Sequence, residues 1–124
     1  MQTTFAKIDK TIWDHVTARH WDDVVSSRGL AISIALEASE LLEHYQWNDK
    51  PVGSKEDLAD ELADILIYAF QFAHINNIDM PKAILAKLEK SGKKYPVEHF
   101  QGKSADENHK TWIKDKVAHK KGGL

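Results

Sequence analysis

Glu37 and Glu40 in the segment EASE, and Glu61 and Asp64 in the segment ELAD, form two carboxylate pairs with the same three-residue spacing. On an α-helix that spacing places both members of a pair on one face, about 5 to 6 Å apart at Cβ. Their neighbours are apolar: Leu30, Ile34, Leu36, Leu41 and Leu42 around the first pair, Leu58, Leu62, Ile65, Leu66 and Phe72 around the second. If the two helices lie side by side, four acidic groups converge, an arrangement that is tolerable only when protons are taken up or cations bind. An all-oxygen donor set without Cys or His selects a hard cation, Mg2+ or Mn2+.

One E-x-x-E segment alone would be an ordinary solvated helix face in a chain that is 29% charged. Two matched pairs are harder to dismiss, because like charges three or four apart weaken a helix unless something compensates. Asp57, Asp60, Glu61 and Asp64 follow one another along a stripe that contains no Lys or Arg, although Lys is plentiful elsewhere. The competing interpretation is a non-catalytic helical module that binds nucleotides or a protein and uses the acidic stripe for solubility or partner choice.

The elements that must position these groups are helical. Strand-like alternation is nearly absent, and apolar residues recur at helical spacing. Phe5, Ile8, Ile12 and Val16 predict a first helix from about residue 4 to 19, with Trp13 in the core. A second runs from about Arg28 to Trp47 behind the capping candidates Ser26 and Ser27, and a third from about Lys55 to Asn76 behind Ser54, which opens an S-x-x-D relative of the capping box. Asp79 and Pro81 mark the start of a fourth, which carries Ile84, Leu85 and Leu88 as far as Gly92. Residues 103–124 are polar and lysine-rich, with Trp112, Ile113 and Val117 to bury, and are expected to form a short amphipathic helix or none.

The 124 residues correspond to one domain, with 17 basic and 19 acidic side chains and a formal net charge of −2. No global field advertises a nucleic-acid polymer or an anionic membrane. The chain has no cysteine, which excludes thiol catalysis, disulfides and cysteine-based zinc sites. No apolar run approaches the ~20 residues of a membrane helix, and the segment MQTTFAKIDK lacks a signal-peptide core, so a soluble cytoplasmic protein is expected. Seven histidines form no H-x-x-x-H, His-Asp or E-x-x-H signature, and no glycine-rich phosphate loop is present. His44, one turn past Glu40, is expected to be a helix-surface or interface residue.

The run W-D-D-x4-R-G-L-A-I-x-I-A-L-E-x-x-E-L-L-E-x-x-Q-W, followed by D-E-L-A-D-I-L-I-Y and K-L-E-K-S-G-K-K-Y-P, resembles the MazG-like all-α nucleoside triphosphate pyrophosphatases, especially their small dCTP-pyrophosphatase branch. The resemblance spans Trp21 to Pro96, and the 20 residues between the two acidic pairs fit it. It implies an all-α fold with a four-helix core over residues 1–102 and a polar tail over 103–124, assembled as a homodimer or a dimer of dimers.

The resemblance also implies an enzyme that hydrolyses an NTP or dNTP, such as dCTP, to the monophosphate and pyrophosphate in nucleotide-pool housekeeping; a related pyrophosphohydrolase acting on a phosphoribosyl nucleotide is a further alternative. Its implied metal ligands are Glu37, Glu40, Glu61 and Asp64, with one of these carboxylates or Asp60 orienting the attacking water. Trp21, Trp47 and Tyr68 are the implied base contacts, and Lys87 and Lys94 the implied phosphate contacts. The chain departs from the pattern at Ser91, where many relatives have Asn, and at Ile12, where some have His. Both departures bear on base and sugar preference.

Overall fold

The computed structural model describes residues 3–121. The described residues form five helices, α1 (Thr4–Ala18), α2 (Ser27–Glu43), α3 (Lys55–Ile75), α4 (Met80–Lys94) and α5 (Ala105–Lys121), with short 3-10 turns at Trp21–Asp23 and Val97–His99. There is no strand among the described residues, so the all-α expectation holds. Among them, too, no helix is long and apolar enough to cross a membrane. The chain divides into two compact units after Met80.

In the first unit, α2 packs along α3 and α1 packs on α3. The α2–α3 pair is an antiparallel hairpin: Asn76 at the end of α3 donates from Nδ2 to Ser27 Oγ at the start of α2, at 2.9 Å, and to the Phe72 carbonyl at 2.9 Å. Among the described residues, Val16, Leu30, Phe70 and Ala73 are the buried apolar ones. Phe5 stacks on Phe70 with centroids 5.9 Å apart, and Trp13 stacks on His74 at 4.1 Å, which ties α1 to the second half of α3.

Local chemistry sets the ends of the hairpin. Ser54 and Asp57 form the complete capping box: Ser54 Oγ accepts from the Asp57 N–H at 3.2 Å, and Asp57 Oδ2 accepts from the Ser54 N–H at 2.9 Å. Asp57 therefore belongs to the helix start, which accounts for one member of the acidic stripe. At the other end of α3, Asn77 takes the left-handed conformation (φ 54°) and the Ile78 N–H closes on the Ala73 carbonyl at 2.9 Å. Helix α2 stops at Glu43, four residues before the expected Trp47. There the chain turns back on itself, with the Val52 N–H donating to the His44 carbonyl at 3.0 Å, and this leaves Tyr45 to Trp47 in the loop.

The second unit holds α4 and α5. Helix α4 continues two residues beyond Gly92, whose missing side chain faces open space. The stop comes from Pro96, which disfavours helical backbone at Tyr95. Residues 105–121 do form a helix: Trp112 of α5 stacks on Tyr95 with centroids 6.0 Å apart, and His99 Nδ1 meets Asp115 Oδ2 at 2.8 Å.

The capping box generates a stability prediction. Ser54→Ala should lower the unfolding free energy by about 1 kcal/mol in urea titrations at pH 7. Hydrogen bonds from the Ser54 backbone N–H, then from its hydroxyl, hold the Asp57 carboxyl below its ordinary pKa, with His44 adding a smaller effect. Stability from a depressed carboxyl is present above the unfolded value and lost as pH falls through the folded one. Asp57→Asn should thus be less stable than the wild type at pH 7 and converge with it on acidification below about pH 4.

Candidate active site

The antiparallel hairpin sets the C-terminal half of α2 against the N-terminal half of α3. Glu37, Glu61 and Asp64 each direct one carboxylate oxygen to a common point, and these three oxygens lie within 4.8 Å of one another. Glu37 and Glu61 are half-buried, and Asp64 is exposed. Glu37 Oε2 is shut off from solvent and has no hydrogen-bond partner among the described residues. An unpartnered buried carboxylate oxygen facing two further carboxylates is what an oxygen-liganded cation would satisfy.

Glu40, the fourth expected ligand, is exposed one turn further along α2 and interacts with Glu37 without belonging to the converging three. Its hydrogen bond to Glu37 is the largest of several influences that raise the Glu37 pKa; burial and repulsion from Glu40, Asp64 and Glu61 act in the same direction. Asp60 precedes Glu61 on α3 and is exposed.

His44 has a part that its sequence position did not disclose. Its side chain is only 14% exposed, at the C-cap of α2. Nδ1 accepts the Gly53 N–H at 3.1 Å, so the neutral ring carries its proton on Nε2, which points at Glu61 Oε1 from 3.5 Å. The close approach requires glycine at position 53: a Cβ there would lie 2.8 Å from His44 Nδ1 and 2.9 Å from Asp57 Oδ2. The loop between the helices thereby orients one of the converging carboxylates. Gly53 and Ser54 just ahead of α3 are visible in the sequence; the contact of Gly53 with His44 depends on the chain reversal.

A cavity of about 520 Å³ begins at Asp64 and runs between α1 and α3, walled by Ile12, Val16, Ile67 and Tyr68, with Trp21 and Gln71 also lining it. Two of the three expected base contacts, Trp21 and Tyr68, thus share one cavity with an acidic residue of the cluster. Trp47 lies on the loop after α2, 87% exposed, and does not belong to the core. Lys87 and Lys94 lie on α4 in the second unit, the first exposed and the second half-buried. Gln71 is a further lining residue, one that no motif in the sequence marks.

Carboxylates converging from a helical hairpin beside an apolar, aromatic-lined cavity make a candidate cation site next to a candidate site for an organic group in an all-α protein. The MazG-like family profile matches residues 32–109, more than half of the chain, and the chain belongs to the MazG-like family. It is similar to dCTP pyrophosphatase 1 of Bos taurus, at 29% identity over 109 residues, covering 82% of this chain and 64% of the relative. Similarity to dCTP pyrophosphatase 1 of Homo sapiens is 28% over 103 residues, covering 77% and 61%. The chain therefore spans less than two-thirds of the length of these curated relatives. Among solved structures, a pyrophosphatase from Archaeoglobus fulgidus superposes with a TM-score of 0.68 at 26% identity, covering 77% of this chain and 95% of that one.

The raised Glu37 carboxyl gives a prediction for the metal-free protein. An acid whose folded pKa exceeds its unfolded value costs stability as pH rises from the ordinary glutamate value, about 4.3, through the raised one. Glu37→Gln removes that loss. In urea unfolding with a chelator present, Glu37→Gln should gain on the wild type between pH 4 and pH 7, whereas a solvated, unperturbed glutamate would give parallel pH profiles.

Proposed function

We propose that this chain is a divalent-metal-dependent nucleoside triphosphate pyrophosphohydrolase that cleaves a dNTP, such as dCTP, to the monophosphate and pyrophosphate as a cytoplasmic nucleotide-pool housekeeper. The observation that carries the proposal is the continuity of two unlike surfaces at Asp64: the acidic point shared with Glu37 and Glu61, and the cavity containing Tyr68 and Trp21. A triphosphate tail needs the first only through bridging cations, and a base needs the second. The family and the pyrophosphatases it resembles support the same reaction class.

Glu37, Glu61 and Asp64 would hold Mg2+ or Mn2+, with Glu40 completing the set by a change of side-chain conformation. Cations held there would neutralise the charge of the triphosphate and polarise the phosphoryl group under attack. The chain itself must bring water to the α-phosphorus. As the water oxygen bonds to phosphorus, the bond to the α,β-bridging oxygen breaks, pyrophosphate departs, and a carboxylate of the cluster or Asp60 accepts the water proton. Tyr68 and Trp21 stack on or flank the base, and exposed Trp47 is available to cover it. Lys87 and Lys94 are proposed phosphate contacts on the strength of the sequence resemblance.

Association is part of the proposal. Leu36 and Leu42 of α2 and Leu62 and Leu66 of α3 are all large, apolar and exposed, Leu42 to 66%, on the helices that carry the acidic residues. A second copy covering them gives a symmetric dimer or a dimer of dimers. Light scattering at micromolar concentration should report at least twice the 14.1 kDa chain mass; a monomer alone contradicts this part.

The reaction is tested by incubating the protein with a panel of NTPs and dNTPs plus Mg2+ and identifying the products. Monophosphate and pyrophosphate are expected. Orthophosphate release would indicate a different bond, and an absence of turnover would favour a binding module. Glu61→Gln and Asp64→Asn should each reduce turnover by at least ~100-fold, because a lost charged ligand weakens both cation binding and transition-state charge stabilisation. Near-normal activity in both variants would remove the assignment of the acidic cluster.

A further inference from the structure

Helix α3 is apolar from Ile65 to Ala73 apart from Tyr68 and a single amide, Gln71. Gln71 is 6% exposed, the one buried polar residue among those described. Its carboxamide makes no hydrogen bond to another described side chain, and its polar atoms are not sealed off from solvent. A largely buried amide without a protein partner must keep its polar atoms turned to water or a ligand, because desolvating it unpaired is unfavourable. Its surroundings supply the direction in which a partner would come: Gln71 lines the same cavity as Asp64 and Tyr68.

Asp64, Tyr68 and Gln71 stand at positions i, i+4 and i+7 of α3 and so share one face. At ~1.5 Å of rise per residue, Gln71 sits about 10 Å along the axis from Asp64, with Tyr68 between them. That order matches a nucleotide laid along the helix, with phosphate at the acidic end, base against the aromatic ring and base edge at the amide. Ile12, Val16 and Ile67 offer no side-chain hydrogen bond, and apart from Asp64 and Tyr68 the cavity's other polar side-chain groups belong to Thr11, His15 and Trp21 of the α1 side.

We propose that Gln71 is a specificity-determining residue that reads the hydrogen-bonding edge of the substrate's base. A carboxamide presents a donor and an acceptor side by side, which is the complement of the adjacent donor and acceptor on a nucleobase edge. The role rests on the pyrophosphohydrolase reading above and assigns it a base-selecting group. At this site Ile12 cannot make a polar contact, and the α3 amide supplies one.

The test compares kcat/KM for the preferred natural dNTP with that for a triphosphate carrying an apolar isostere of the same base, which keeps the shape and loses the hydrogen bonds. Wild type should favour the natural substrate by roughly 100-fold or more, since a site built to hydrogen-bond its substrate rejects an analogue that cannot. In Gln71→Leu the preference should fall to within about 3-fold, chiefly through a raised KM for the natural substrate, with the isostere far less affected. Gln71→Met, a second apolar replacement of similar length, should behave likewise and guards against a folding defect peculiar to Leu. Equal losses on both substrates would show a purely structural Gln71 and overturn the inference, as would an unchanged preference. A wild type that turns over no nucleotide at all would instead overturn the pyrophosphohydrolase reading, and the inference with it.

Discussion

The antiparallel packing of α2 on α3 is the constraint on which the site depends. Nothing in either helix alone brings Glu37 to Glu61 and Asp64; the register of the pair does. That register is held at one end by Asn76 on Ser27, and at the other by the capping box of α3 and the loop that folds Gly53 onto His44. A slip of one helical turn, about 5.4 Å, would exceed the 4.8 Å within which the three carboxylate oxygens meet. The pairing thus places repulsive charges together, and the buried apolar contacts of Leu30, Phe70 and Ala73 must outweigh that repulsion when no cation is bound.

The same helix face carries an acidic point and then an apolar, aromatic wall. Asp64 belongs to the acidic point and also to the cavity, so under the proposed function one ligand would touch cations and an apolar wall at once. Helix α1 closes that wall with Ile12 and Val16, held on α3 by the stacks of Phe5 on Phe70 and Trp13 on His74. His44 connects the loop to the cluster, since the hydrogen bond that fixes its tautomer is made by the loop backbone and its other nitrogen faces Glu61.

Much of this was legible in the residues, because helical periodicity and end signals are local. Ser54 with Asp57 announced the start of α3, and the E-x-x-E and E-x-x-D spacings announced which residues share a face. What escaped detection depends on chain reversal. The end of α2 at Glu43 is set by backbone hydrogen bonds across the loop, to which no residue type at 44–47 points. Asp57 looked like part of the acidic stripe because spacing alone cannot tell a cap from a ligand. His44 looked like a surface residue because its partners, Gly53 and Glu61, are remote in sequence. Gln71 had a signal, a lone amide within A-F-Q-F-A one turn beyond Tyr68, but its burial against a cavity appears only when α1 is packed in place.

That the converging carboxylates form a cation site is the central claim, and thermal melts test it without any assay of turnover. Wild type and Asp64→Asn are compared with and without millimolar Mg2+ at constant ionic strength. A ligand stabilises the native state only through its affinity for it, reaching about 2.7 kcal/mol at a hundredfold excess over Kd. The account predicts a clear Mg2+-dependent rise in the melting temperature of the wild type and the loss of most of that rise in Asp64→Asn. Equal, small shifts in both proteins would mean a solvated acidic face responding to salt, and would contradict it.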